Sequence, residues 1–278
     1  PDLKIIAPWR CTDTWKMLSR EDEIENCRQH GINLPFSADS SYSRDRNLWH
    51  ISHEGLELED PACAPNYDHL LVLGVTPEKA PDEPTEVSLR FEKGVPVALN
   101  GREMKVSEII AGLNELGGKN GIGIVDIVEN RVVGMKSRGV YETPGGTILM
   151  EAHTQLEELI LDRATLSCKK EIANRFADVV YEGKWFTPLR EALQAFVEVT
   201  QQYVTGEAKM KLYKGNIIKQ GTTSPYSLYN ESIASFTTGD LYDHHDAEGF
   251  INLFGLSLKV RAMKMAEVEK NKESETNQ

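Results

Sequence analysis

Residues 87–101 read VSLRFEKGVPVALNG. Val87, Leu89 and Phe91 alternate with Ser88, Arg90 and Glu92, the period-two pattern of a strand with one buried face. Lys93-Gly94 turns the chain, Val95, Val97 and Leu99 bring it back, and Asn100-Gly101 is a second turn signal. Downstream, Ser107 predicts the cap of a short helix carrying Ile109, Ile110, Leu113 and Leu116, stopped by Gly117-Gly118. Residues 121–135, GIGIVDIVENRVVGM, read as one or two strands. Thr143 and Pro144 open a long helical stretch with Leu149, Ala152, Leu156, Leu159 and Ile160 at helical spacing. Thr187-Pro188 opens another, through about residue 205, with Gly206 as its stop. Residues 208–219 predict a hairpin turning at Lys214-Gly215-Asn216. Leu253, Leu256, Val260 and Met263 make a narrow stripe on a last helix, and the final NKESETNQ reads as disordered. Antiparallel strands with segregated helices predict an α+β domain over residues 36–250.

The upstream part reads differently. Residues 3–8, LKIIAP, are a short β-branched run stopped by proline, the pattern of a buried strand. A helix follows over about 19–30, with Ser19 as its cap, Asp22 three residues on and Gly31 as its stop. Residues 32–34 and Pro35 lead out as a short strand. Strand, loop, helix and strand is how a doubly wound α/β domain ends, and one such unit cannot cover its own sheet. The reading therefore expects a chain that begins inside a larger protein, with residues 1–35 closing an earlier domain. Residues 36–84, polar and rich in proline, read as irregular.

The chain has 278 residues and a formal charge of −12. Hydrophobic residues at 40% and charged ones at 27% are those of a globular protein, not a disordered one. The acidic balance argues against a nucleic-acid partner, because no basic surplus exists to displace phosphate counterions. No apolar run is long enough to predict a membrane span. Four scattered cysteines without a CxxC predict reduced thiols and a cytoplasmic setting.

Familiar phosphate and metal motifs fail on inspection. Residues 112–119, GLNELGGK, miss the P-loop register by one residue, and Asn120 stands where a magnesium-binding hydroxyl belongs. Asp240, Asp243, His244, His245 and Asp246 match no metal-ligand spacing and read as a polar loop. Two segments are richer. Residues 42–54, YSRDRNLWHISHE, set Ser43 and Ser52 around Asn47, Trp49 and His50. Residues 126–147 gather Glu129, Asn130, Arg131, Lys136, Ser137, Arg138, Tyr141 and Glu142 among glycines. A carboxylate, hydroxyls and a phenol suit a small zwitterion, the carboxylate pairing its ammonium; polar strand ends that are merely solvated would read the same.

At these words the sequence resembles the argininosuccinate synthase family. The matching stretches are KIIAPWR (4–10), RDRNLWHISHE (44–54), GIVDIVENRVVGMKSRGVYETPGGTIL (123–149), SPYSLYN (224–230) and DAEGFINLFGLSLKVRA (246–262). The resemblance implies an ATP-dependent C–N ligase of arginine biosynthesis joining citrulline and aspartate through citrullyl-AMP. It implies that Ser43, Ser52, Glu129 and Tyr141 contact citrulline, and it assigns no catalytic side chain within this chain. ATP with Mg2+ would be held mainly by a nucleotide-binding domain ahead of Pro1, so these residues alone are expected to be inactive. It further implies residues 36–250 as the synthetase domain and 251–278 as a C-terminal helix and tail reaching across a homotetramer. The competing reading is a non-catalytic amino-acid-binding or oligomerisation module.

Overall fold

Alternation in β3 (Thr85–Glu92) buries Val87, Leu89 and Phe91. It pairs antiparallel with β4 (Val95–Leu99) across Lys93 and Gly94, whose φ values of +50° and +78° are those of a tight primed turn. The register shifts between Arg90 and Phe91, where Pro96, with no N–H to donate, faces Phe91. The second turn, at Asn100-Gly101, leads into the short β5 (Arg102–Glu103). The computed structural model describes residues 2–11, 13–34, 42–234, 243 and 245–276. Two units emerge, Pro1–Ser227 and Leu228–Gln278.

In the first unit, β8 (Gly206–Tyr213) and β9 (Asn216–Thr223) form the expected hairpin. They complete a sheet of order β5-β4-β3-β8-β9, antiparallel throughout. Its inner face packs on α3 (Val106–Lys119) and α4 (Pro144–Ile160), joining Leu89, Phe91, Met210 and Leu212 to Ile109, Leu113, Ile148 and Leu156. These side chains are nearly all removed from water, each contributing roughly 1.5–3 kcal/mol.

Helix α3 corrects two expectations. Its cap is Lys105, whose N–H donates to Glu108 at 2.9 Å, not Ser107. It also runs straight through Gly117 and Gly118 and turns out only at Gly121, with φ +71°. The paired glycines are a packing site: a Cβ on Gly118 would stand 2.1 Å from the Leu73 carbonyl oxygen.

A second sheet has the order β1-β2-β7-β6. Its strands are β1 (Ser43–Arg46), β2 (Ile51–Glu54), β6 (Ile124–Asn130) and β7 (Lys136–Glu142). The segment expected to be irregular thus contributes two strands, and the short helix α2 (Tyr67–Leu70) as well. Its pattern was hard to read because polar groups fill the buried face. His53 and Glu142 are both buried, and His53 Nε2 meets Glu142 at 2.7 Å. Arg44 Nε donates to His53 Nδ1 at 3.0 Å, so the imidazole carries its proton on Nε2. The Glu142 carboxylate then accepts the backbone N–H groups of Val72, Leu73 and Gly74 at 2.8, 2.7 and 3.1 Å. Val75 N–H continues to the Gly118 carbonyl at 3.1 Å, tying this loop to α3. Tyr42, Leu58, Leu70 and Val140 close the same face.

Helices α5 (Arg163–Tyr181) and α6 (Pro188–Gln201) are capped by Asp162 and Thr187. Helix α6 stops at Gln201, short of the expected end, and that carboxamide binds Glu157 at 2.7 Å and His153 at 2.9 Å. Lys169 reaches Glu157 as well, locking α4, α5 and α6 together.

Upstream, α1 (Arg20–Gln29) has the expected start, with reciprocal bonds between Ser19 and Asp22. The expected strand over 3–8 does not form. Leu3, Ile5 and Ile6 are 93%, 96% and 83% exposed, and a 3-10 turn at Pro8–Arg10 follows them. Residues 32–34 form no ladder either. A strand needs a neighbour to satisfy its backbone groups. Pro35, where the domain boundary was placed, lies outside the described residues.

The second unit contains α7 (Glu231–Ala234), α8 (His245–Phe254) and α9 (Leu256–Thr276), with a break at Gly255. Leu253 lies on α8, and Leu256, Val260 and Met263 on α9; all four are at least half exposed. The tail expected to be disordered is helical to Thr276. Asp240 and His244 lie outside the described residues. Among the described residues no helix is long and apolar enough to cross a membrane. Both sheets are antiparallel and the helices segregate, as an α+β fold requires.

Removing the Glu142 carboxylate would orphan three backbone donors and the imidazole. Glu142→Ala is expected to cost about 3–5 kcal/mol in urea unfolding; a loss under about 1 kcal/mol would show that this carboxylate does not hold the loop.

Candidate functional site

Directly opposed residues of an antiparallel sheet share a face, and so do residues two apart on one strand. Asp45, Ser52, Tyr141 and Val125 form one row across β1, β2, β7 and β6. Ser43 opposes Glu54 in the next row, and Gly139 opposes Ile127. Ser137 and Glu129 form the row beyond. The four residues expected to contact a ligand, Ser43, Ser52, Glu129 and Tyr141, therefore lie on one face, opposite the face closed by His53 and Glu142.

The structure also sorts the crowded segment 126–147. Arg138 belongs to the other face, where it grips Asp126 at 2.7 Å and the carbonyls of Asp60 and Cys63 at 2.9 Å. Glu142 is the structural anchor described above. Lys136 is held by Asn130 at 2.8 Å. Glu54 and Gly139 escaped the sequence reading, although the two-residue period places both beside Ser52 and Tyr141.

Gly139 is buried, and its missing side chain shapes the face. A Cβ there would sit 3.2 Å from Tyr141 Cε2 and 3.7 Å from Glu54 Cγ. The Tyr141 ring leans over this gap, and its hydroxyl donates to Glu129 across a long 3.4 Å bond. Burial first, then the charges of Glu129 and Glu54, pushes the Tyr141 phenol above its usual range. Ser52 is buried, its hydroxyl accepting the Asp45 N–H at 3.3 Å, while Ser43 is exposed at the sheet edge. Arg131 reaches across to Glu54 at 2.9 Å and Ser137 at 3.2 Å.

The turn between β1 and β2 is built by Asn47, whose side-chain oxygen accepts the N–H groups of Trp49 and His50 at 2.8 and 3.0 Å. His50 stacks obliquely on Tyr141, with ring centres 5.6 Å apart. Asn114 bonds the Leu48 carbonyl at 2.9 Å, and the Trp49 ring lies over Gly146 at the start of α4. Among the described residues no cluster of three His, Cys, Asp or Glu side chains is arranged to hold a metal, and the four cysteines are unbridged. The face offers one long-bonded carboxylate, a phenol and hydroxyls, groups that bind and orient rather than attack.

The scaffold defines an α+β domain of two antiparallel sheets carrying an open polar face. A family model described as "Arginosuccinate synthase C-terminal domain" matches residues 42–261. The argininosuccinate synthase of Lachnoclostridium phytofermentans is 88% identical over 272 residues, which is 98% of this chain and 67% of that protein. That of Agathobacter rectalis is 77% identical over 272 residues, 98% of this chain and 66% of that protein. That of Acetivibrio thermocellus is 60% identical over the same coverage. The chain belongs to the argininosuccinate synthase family, and it spans about two thirds of the length of the curated relatives it matches.

Replacing Glu129 by Gln removes an anion that disfavours phenolate. The Tyr141 titration midpoint should fall in a tyrosine-labelled NMR titration yet stay above the usual value, because burial persists. A midpoint that does not move would separate the two side chains.

Proposed function

We propose that this chain works as the citrulline-holding part of an argininosuccinate synthase, an ATP-dependent C–N ligase of arginine biosynthesis. What carries the reading is the convergence of Ser43, Ser52, Glu129 and Tyr141 on one sheet face, in a chain 88% identical to a synthase. That identity favours a synthase over a non-catalytic module.

In this reading the Glu129 carboxylate pairs with citrulline's α-ammonium, and Tyr141, Ser52 and Ser43 complete the polar end. The ureido oxygen then attacks the α-phosphorus of ATP, giving citrullyl-AMP and releasing pyrophosphate. The aspartate amine displaces AMP and forms argininosuccinate. ATP supplies the leaving group, so the side chains need only position the reactants. ATP and its magnesium are assigned to a nucleotide-binding domain of which residues 1–35 are the end. The exposure of Leu3, Ile5 and Ile6 supports a covering partner there. The described residues contain no ligand cluster fitted to magnesium, and none is assigned to it. Aspartate's contacts belong to the same earlier domain, and a cytoplasmic setting is part of the reading.

Residues 36–250 make the synthetase domain and 251–278 the arm of a homotetramer, a role supported by the exposed Leu253, Leu256, Val260 and Met263. Two measurements test these assignments. In a synthase of the relatives' full length built on this sequence, Glu129→Gln should raise the citrulline KM at least tenfold and leave the ATP KM nearly unchanged; an unaltered citrulline KM defeats the ligand assignment. Deleting residues 253–278 should lower the mass in solution, and an unchanged assembly would return the stripe to packing on its own subunit.

A further inference from the structure

The polar face holds more negative charge than one ammonium needs. Asp45, Glu54 and Glu129 all lie on it, and Arg131 is a cation that reaches over it. Arg131 is committed: its terminal nitrogen sits 2.9 Å from Glu54 and 3.2 Å from Ser137. The pair is partly exposed, the side chains 40% and 33% accessible, so it contributes little to folding. Its effect falls on the field above the sheet. With Glu54 neutralised, the carboxylates left on the face are Glu129 beside Tyr141 and Asp45 opposite Ser52.

We propose that Arg131 is a positioning and specificity residue which, by cancelling Glu54 across the side-chain gap at Gly139, sets this face to accept an amino acid with a neutral side chain and to refuse its cationic isostere. The inference rests on the citrulline assignment above and extends it. Citrulline and arginine have nearly the same shape and differ in a neutral ureido group against a guanidinium. Shape alone separates them poorly, whereas one added anion on the face favours arginine's extra positive charge over the neutral ureido group, the α-ammonium and α-carboxylate being common to both. Gly139 makes the arrangement possible, since a side chain there would intrude between the Tyr141 ring and the Glu54 stem.

Calorimetry with L-citrulline and L-arginine on a full-length synthase carrying this sequence reads the effect as a ratio of affinities. Arg131→Gln should shift that ratio toward arginine by roughly fivefold, the size expected for one partly screened charge several ångströms away. Arg131→Lys should keep the original ratio. The double variant Glu54→Gln/Arg131→Gln, neutral again, should restore it. A pair with only a structural role would weaken both ligands together and leave the ratio fixed in all three variants, which overturns the proposal. If the unsubstituted synthase fails to bind citrulline, or Glu129→Gln binds it as before, the citrulline reading itself falls. A fixed ratio with citrulline binding intact removes Arg131's role alone.

Discussion

A buried carboxylate with no room for error holds the first unit together. Glu142 ends β7, accepts three successive backbone N–H groups from the loop at Val72, Leu73 and Gly74, and meets the His53 imidazole from β2. A donor left without a partner where water does not reach costs roughly 1–3 kcal/mol. The loop it captures presses on Gly118, where a side chain could not fit. One acidic group thus joins the four-stranded sheet, the loop and α3, and through α3 the five-stranded sheet. The polar face inherits its rigidity from the buried one, because alternate residues of the same strands serve each.

That division explains how so polar a pair of strands can be stable. Neither β1 nor β2 carries enough apolar surface to hold a sheet by burial alone. Arg44, His53 and Glu142 replace it with a satisfied chain of hydrogen bonds, a substitution that works only when every member has its partner. The opposite face then carries less of the packing, with Ser52 and Gly139 its buried members. Its residues can be chosen for charge and hydroxyl chemistry, with Gly139 leaving the gap over which Tyr141 leans.

Much of this was legible in the residues, and the exceptions have physical causes. The β3–β4 and β8–β9 hairpins announced themselves through alternation and glycine turns, and the capping pair Ser19 and Asp22 marked α1. The strands at 43–54 did not, because their buried face is polar and hydrophobic periodicity is blind to it. Gly117 and Gly118 read as a helix stop, but glycine also serves close approach, and only the opposing loop reveals which use applies. The run at 3–8 reads as a strand because its composition is that of one, yet pairing needs a neighbour that composition cannot supply. The candidate site was found as a list of four from resemblance; strand parity is what puts that list on one surface, adding Glu54 beside it and setting Arg138 of the crowded segment on the other face.

The two ends of the four-stranded sheet are held very differently. At one end Asn114 and Gly146 fasten the turn of the β1–β2 hairpin through Leu48 and Trp49. At the other, the β6–β7 turn projects Val132, Val133 and Met135 into solvent, at 63%, 77% and 59% exposure. Protein atoms thus close one margin of the sheet, while the other is left uncovered by the described residues. A molecule lying on this surface would meet packed neighbours past its Trp49 end and an apolar rim of Val132, Val133 and Met135 past the other.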